Sequence, residues 1–139
     1  MKQIVHTPKP PYAAFDAEDE RRLQMWAEEA RHQLIKVALK AGTISYSELW
    51  NKLLASDAGP APKGLWRYRV GTLLYRVAKL NSQNREPLLT ALVVQKVTGE
   101  VSEGYEDGVA ACYGYSPANI TSHARSERIK IALWAGTDL

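Results

Sequence analysis

The stretch that decides the fold is residues 43–105, TISYSELWNKLLASDAGPAPKGLWRYRVGTLLYRVAKLNSQNREPLLTALVVQKVTGEVSEGY. Its patterns predict, in chain order, an extended segment (43–45), a helix (46–55), a loop (56–64), a second helix (65–81) and a β-hairpin (88–105). Together with a longer helix before them, these elements have the order of a winged helix-turn-helix. We therefore predict an α+β, mainly α fold, with a three-helix core, a β-hairpin wing and an extra C-terminal helical segment.

Both helices that precede the loop carry clear start signals. Asp16 can cap a first helix whose apolar residues recur at helical spacing from Leu23 to Ala38, and Gly42 is placed to end it. Ser45 and Glu48 form the pattern of a capping box at the start of the second helix. We expect both helices to pack their apolar faces into one core.

The third helix and the loop before it carry the strongest functional signal. Between Ala58 and Arg85 there are six basic residues and no acidic one, which is typical of a surface that meets a polyanion. At about 100° per residue, Val70, Leu73 and Val77 fall on an apolar face and the polar and aromatic residues fall opposite. The predicted nucleic-acid-binding residues, including one from the wing, are Lys63, Arg67, Tyr68, Arg69, Thr72, Tyr75, Arg76, Lys79 and Lys96.

The predicted wing is less suited to contact DNA. Residues 88–97 are apolar and β-branched, so they predict a buried strand, and Thr98-Gly99 signals a turn. The return strand carries Glu100 and Glu103, which leaves Lys96 to face a phosphate. The acidic residues favour a solvated edge that discourages strand pairing.

The two ends of the chain have different patterns. Prolines at 8, 10 and 11 predict a flexible N-terminal arm over residues 1–15, and residues 16–139 are expected to form a single domain. Residues 106–113 predict a short helix that Gly114 ends. Residues 122–134 fit either a final helix or a strand.

Composition narrows the class of protein. The net charge is +3, and 45% of the residues are hydrophobic, as in ordinary globular proteins. No apolar run is long enough to cross a bilayer and no signal peptide is evident. Cys112 is the single cysteine, so it cannot form an internal disulfide, and we expect a cytoplasmic protein. No pattern in the sequence marks a dimer interface, although a symmetric dimer would suit a protein that binds palindromic DNA sites.

Several short motifs resemble a known family. Residues 44–49 (ISYSEL), Val70-Gly71, residues 92–94 (LVV), Gly99 and Gly104-Tyr105 follow the order of motifs in the winged-helix domain of alkylguanine-DNA alkyltransferases and alkyltransferase-like proteins. The resemblance covers about the middle 60 residues of the 139. It implies a DNA-binding winged helix, with Tyr46 and Tyr68 as contacts.

The same resemblance implies that alkyl transfer is lost. The family's reactive cysteine belongs to a Pro-Cys-His-Arg motif before the paired valines, and the residues that correspond here are Leu89, Thr90, Ala91 and Leu92. Threonine without a base partner does not replace a low-pKa thiolate. The family's intercalating arginine corresponds to Tyr68.

No other chemistry is indicated by the sequence. The glycines lack the spacing of a phosphate-binding loop, and His6, His32 and His123 are far apart, so we expect no catalytic residue, metal or cofactor. Cys112 lies among small apolar residues and is expected to be an inert buried thiol.

The function predicted from sequence is non-enzymatic binding of duplex DNA through the helix at 65–81. The alternative is a protein-interaction module on the same fold, a small regulator or a phage factor that binds a host protein. Tyrosine and arginine on the third helix suit either function, since both are enriched at protein interfaces.

Overall fold

The computed structural model of the protein describes residues 16–65 and 70–138, and the fold in this part is mainly helical. The predicted arm at 1–15 and the predicted contacts Arg67, Tyr68 and Arg69 lie outside the described residues. The elements in order are α1 (Ala17–Leu39), β1 (Ile44–Ser45), α2 (Tyr46–Leu54), α3 (Val70–Gln83), a 3-10 helix (Leu89–Leu92), β2 (Val93–Val94), α4 (Tyr105–Tyr113) and α5 (Ile120–Asp138).

The helix starts predicted from capping residues are confirmed. The Asp16 carboxylate accepts the Asp19 backbone N–H at 2.9 Å at the start of α1. Ser45 and Glu48 form the capping box of α2, with the Glu48 N–H donating to Ser45 Oγ at 3.2 Å. The sequence predicts that Gly42 ends α1. In the structure α1 ends at Leu39, and the residue that takes the left-handed backbone after it is Ala41, at φ 51°.

The predicted β-hairpin at 88–105 is wrong. Residues 89–92 form a 3-10 helix, and only Val93 and Val94 are extended. They pair in parallel with Ile44 and Ser45 of β1, which gives a sheet of two short strands among the described residues. Residues 95–104 fold into turns, closed by hydrogen bonds from Gln95 N–H to Glu100 O and from Gly99 N–H to Gln95 O, both 2.8 Å.

The β-branched run is buried because helices cover it on several sides. The 3-10 helix contacts α1, α3, α4 and α5, and Leu88, Leu89 and Val93 are fully buried. An apolar run of this length can be a buried strand or a buried irregular segment, and periodicity alone does not separate them.

The C-terminal region is helical, which decides between the two conformations that the sequence allows at 122–134. α4 ends at Gly114, which adopts φ 80° as its C-cap, as predicted. α5 packs against the 3-10 helix and α1. One cluster of buried apolar residues draws on all five α-helices, with Trp26, Leu49, Leu73, Val109 and Ile131 among its large members.

The prediction for the two faces of α3 is half right. Val70, Leu73 and Val77 are buried as expected. The opposite face is also covered, because α4 packs on it, and Thr72 and Tyr75 are 2% and 9% exposed. A single-face pattern does not reveal a fourth helix on the other side.

Within the described part of the chain, no helix combines the length and apolarity that crossing a bilayer requires.

Candidate functional site

A cavity of about 370 Å³ lies against the N-terminal half of α3. Its walls come from α2 (Tyr46), α3 (Val70, Gly71, Leu74 and Tyr75), the 3-10 helix (Thr90), the turn segment (Gln95 and Ser102) and α4 with the residue before it (Gly104, Tyr105 and Gly108). Such a volume lies within the usual range for ligand sites, which are lined mainly by apolar and aromatic side chains with a few polar groups.

Thr90 supplies the most informative group in this cavity. The residue is 4% exposed, and its Oγ1 has no hydrogen-bond partner among the described residues. Leaving a buried hydroxyl unpaired costs free energy, so such an atom needs an explanation, and a ligand that completes its hydrogen bonding is one.

The backbone around Thr90 is held on both sides by polar side chains, of which Asn81 and Glu127 are buried. The Leu88 N–H donates to Glu127 Oε2 at 2.7 Å, and the Leu89 N–H donates to Asn81 Oδ1 at 3.0 Å. On the far side, Arg128 Nε donates to the Ala91 carbonyl at 2.8 Å. These three contacts fix the 3-10 helix, so the threonine hydroxyl occupies a defined place in the cavity wall.

Asn81 and Glu86 extend this support to α1. The Asn81 amide donates to Glu86 Oε1 at 3.1 Å, and the Glu86 carboxylate accepts from Arg31 Nε at 2.8 Å and also from Arg31 Nη2. The carboxylate, acting first through its hydrogen bond, raises the pKa of Arg31. A chain of buried polar groups therefore connects α1 through α3 to the 3-10 helix.

Gly108 of α4 lies next to the Thr90 hydroxyl. A Cβ atom at Gly108 would lie 3.4 Å from Thr90 Oγ1 and 3.6 Å from Ala78 Cβ. Both distances are ordinary van der Waals contacts, so a Cβ atom at this position would touch the hydroxyl without displacing it.

Aromatic side chains form much of the remaining wall. Tyr46 hydroxyl lies 2.7 Å from Ser102 Oγ and accepts the Ser102 N–H at 3.3 Å, which attaches the turn segment to α2. Tyr105 hydroxyl lies 2.7 Å from His123 Nδ1, and burial raises the pKa of Tyr105 far above its usual range. Burial, followed by the negative charge of Asp107, raises the pKa of Tyr75. Tyr75 and Tyr105 therefore stay neutral and present flat rings to the cavity.

The described members of the predicted contact set are only partly brought together. Lys63 and Lys96 are exposed, and Lys79 is exposed with its Nζ 4.9 Å from the centroid of the Tyr75 ring. Arg76 is engaged in an ion pair with Glu20 of α1, with Nη2 3.0 Å from Oε2. Thr72 is buried and Tyr75 lines the cavity. The predicted continuous basic face on α3 is therefore not formed by residues 70–83.

Reasoning from charge does not find this cavity. Gln95, Ser102 and Tyr105 carry no charge, and their contributions depend on how the turn segment folds over α2 and α4. From sequence, Thr90 stands out only as the residue that corresponds to the reactive cysteine of the resembled family. The small residues Gly71 and Gly108 are a usable signal, since glycine inside helices indicates close approach.

No group of three or more His, Cys, Asp or Glu side chains is placed to hold a metal ion in the part of the chain that the structure covers. The sequence predicts a buried thiol at Cys112, whereas the structure has this residue only half-buried. Burial, followed by the charge of Glu127, raises the pKa of the thiol to about 11, so the thiol stays protonated near neutral pH.

No family model, curated protein or solved structure matches this chain.

Proposed function

We propose that this protein binds duplex DNA without chemically altering it, and that the cavity beside Thr90 receives one base extruded from the helix. The observation that supports this most directly is Thr90, which lines an aromatic cavity and whose buried Oγ1 has no hydrogen-bond partner among the described residues. Proteins that extrude a base place it in a snug pocket, where it stacks on aromatic or apolar side chains and is hydrogen-bonded along its edge.

The sequence around the cavity supports this proposal. Val70 and Gly71, which line the cavity, come directly after Arg69 in the chain, and Arg67 stands two residues before Arg69. Phosphate contacts from arginine position a protein on the duplex, while polar groups in a pocket can specify a base. The resemblance to alkyltransferase-like proteins also supports it, since Thr90 corresponds to that family's reactive position.

We infer a winged-helix arrangement in which α2 and α3 are the helix pair and residues 95–104, folded as turns, take the place of the wing. Lys96 is exposed on this segment and suits a phosphate contact. The exposed Lys63, in the loop between α2 and α3, suits the same role.

The first experiment is fluorescence anisotropy of a labelled random-sequence duplex at low and at physiological salt. Arg67→Gln/Arg69→Gln should weaken binding and reduce the slope of log K against log salt by roughly one for each phosphate that the arginines no longer neutralise. Lys36→Gln/Lys52→Gln, which removes the same charge from the exposed surfaces of α1 and α2, is the matched control and should change the slope less. Arg76 is unsuitable for charge reversal, because an acid there would face Glu20.

Base extrusion is tested separately with 2-aminopurine in the duplex, whose fluorescence rises when it leaves the stack. We expect a rise on binding, and Thr90→Val should reduce it because valine keeps the shape of threonine but cannot hydrogen-bond. Binding without any rise would retain the DNA proposal and reject the cavity as a base site. No binding even at low salt would reject both.

A second candidate function is protein interaction in place of DNA binding. It is favoured by the Arg76–Glu20 ion pair and by the burial of Thr72 and Tyr75, which together remove much of the free basic face from α3. Failure of the duplex titration would leave this candidate as the leading one.

A further inference from the structure

A second cavity, of about 540 Å³, lies at the C-terminal end of α3. It is bounded by the turn after α3, the end of α4 and the exposed side of α5, through Arg85, Cys112, Tyr113, Lys130, Leu133 and Trp134. Val70 in the first cavity and Ser82 in this one are twelve residues apart on the same helix, which is roughly 18 Å at 1.5 Å per residue. The two cavities are therefore separate sites.

Arg85 has an unusual backbone for a residue at the rim. Its φ is 56°, and α3 ends in a Schellman motif in which the Arg85 N–H donates to Ser82 O and the Glu86 N–H donates to Asn81 O. This left-handed position usually holds glycine, because any Cβ is strained there. The Arg85 side chain is exposed, and no ion pair joins it to the described part of the chain.

Lys130 is the second cation at this cavity, and its position is fixed. Its Nζ lies 3.2 Å from Tyr113 hydroxyl and 4.7 Å from the centroid of the Tyr113 ring. Two acids also lie at this cavity, and both are buried. Glu86 lines the cavity and is paired with Arg31, whereas Glu127 accepts the Leu88 N–H and the Tyr113 hydroxyl and lies 3.5 Å from Lys130 Nζ. The charged side chains that the cavity exposes to solvent are therefore those of Arg85 and Lys130.

An apolar strip continues from the cavity along α5. Leu133 in the cavity and Ile129, four residues earlier on the same helix face, are each 66% exposed. Trp134 adds an indole to the cavity wall. Exposed apolar surface that extends beyond a cavity and is bordered by cations suits a chain-like occupant better than a small molecule.

We propose that this face of α5 binds an acidic amphipathic helix of a partner protein. Apolar side chains of the partner would cover Ile129 and Leu133 and insert beside Trp134, while its carboxylates would pair with Arg85 and Lys130. A second copy of this chain is a poorer occupant, because a two-fold contact would bring the same cations together. The proposal goes beyond DNA binding and does not rest on it.

The test uses a fluorescein-labelled amphipathic peptide with leucine and tryptophan on one helical face and glutamate on the other, titrated with the full chain. A peptide with lysine in place of each glutamate should bind at least about tenfold more weakly. Arg85→Asn, which keeps a residue that tolerates the left-handed backbone, and Leu133→Glu should each weaken binding of the acidic peptide by about tenfold. The matched controls are Lys36→Gln and Leu54→Glu, which alter an exposed cation and a 58% exposed leucine elsewhere.

Circular dichroism of each variant confirms that its fold is retained. Equal affinity for the acidic and basic peptides, or no binding of the acidic peptide at low salt, would overturn the proposal. It is also overturned if Arg85→Asn lowers duplex DNA affinity as much as peptide affinity, because the face would then belong to a DNA site. Sedimentation that shows a dimer abolished by Leu133→Glu would assign the face to a second copy and overturn it as well.

Discussion

At the scale of single residues, Thr90 shows a conflict between stability and binding. Its Oγ1 is buried without a partner in the described structure, and an unpaired buried hydroxyl costs about 1–3 kcal/mol. Thr90→Val removes the hydroxyl and keeps the shape, so we expect the free energy of unfolding to rise by about 1 kcal/mol while base binding weakens. Urea denaturation gives the first quantity and the 2-aminopurine titration gives the second.

Thr90→Ser is the control for this substitution. Serine keeps the hydroxyl and lacks the methyl group, so it should lower stability and retain more of the fluorescence rise than valine does. A loss of stability in Thr90→Val would show that the hydroxyl is already hydrogen-bonded, for example to a water molecule, and would remove the main support for the base site.

Ala41 provides an independent test of backbone strain. The residue adopts φ 51° at the end of α1, where the Gly42 N–H donates to Val37 O. We expect Ala41→Gly to raise the free energy of unfolding by about 1 kcal/mol, because glycine takes this conformation without a Cβ clash. The measurement is the shift of the denaturation midpoint. Ala55→Gly, at a C-cap with φ −84°, should give no gain.

At the scale of elements, the 3-10 helix depends on side chains from its neighbours more than on its own hydrogen bonds. Glu127 of α5 accepts the Leu88 N–H and the Tyr113 hydroxyl, and it is 2% exposed. Glu127→Leu would leave a buried N–H without an acceptor, so we expect a loss of about 3 kcal/mol in the free energy of unfolding. Glu127→Gln keeps an acceptor and should cost about 1 kcal/mol.

Hydrogen exchange would locate the effect of these substitutions. We expect the amide protons of the 3-10 helix and of β2 to lose protection in Glu127→Leu before those of α1 do. Uniform loss of protection across all helices would mean that Glu127 supports the whole core and has no particular role in holding the cavity wall.

Elements with local signals could be predicted from sequence, and elements defined by distant contacts could not. Asp16 and Ser45 are N-cap residues, whose side chains accept backbone N–H groups from the first turn of the helix that follows. Both helix starts predicted from them are confirmed. The segment at 88–94 is shaped by Asn81, Glu127 and Arg128, which are remote in sequence. Its apolar pattern therefore predicts the burial correctly and the conformation wrongly. The charge pattern predicts an exposed basic surface on α3. The cavity, by contrast, is built mostly of neutral side chains that are far apart in sequence and come together only when the chain folds.

At the scale of the whole molecule, three surface carboxylates predict how the protein responds to acid. Hydrogen bonds, chiefly from Arg21, Ser45 and Arg125, lower the pKa values of Glu18, Glu48 and Glu100 respectively below 4.5.

Because these pKa values are lower in the folded state, the carboxylates contribute stability above about pH 4.5 that is lost as the pH falls through them. Glu48→Gln preserves the capping contact without the titration, so its stability should fall less steeply as the pH drops below about 4.5. Urea titrations at each pH measure the slope. An unchanged slope would show that Glu48 carries no part of the acid response.

At alkaline pH the protein should lose stability through groups whose pKa values are higher in the folded state than in the unfolded state. Burial is the largest cause that raises the pKa values of Tyr105, Tyr113 and Cys112, the last from 9.0 to about 11. The unfolded chain therefore releases these protons at lower pH than the folded one, so stability is complete below about pH 9 and declines as the pH rises above it.

Cys112→Ala removes the first of these titrations and should make the decline shallower between about pH 9 and about pH 11, although the smaller side chain lowers stability at neutral pH. Ultraviolet absorbance of the thiolate provides the direct check, since in the folded protein it should appear near pH 11. A thiolate that forms near pH 9 would mean that Cys112 is open to solvent. The cavity between α3 and α5 would then be wider than the structure has it, and less able to hold a partner helix against Trp134.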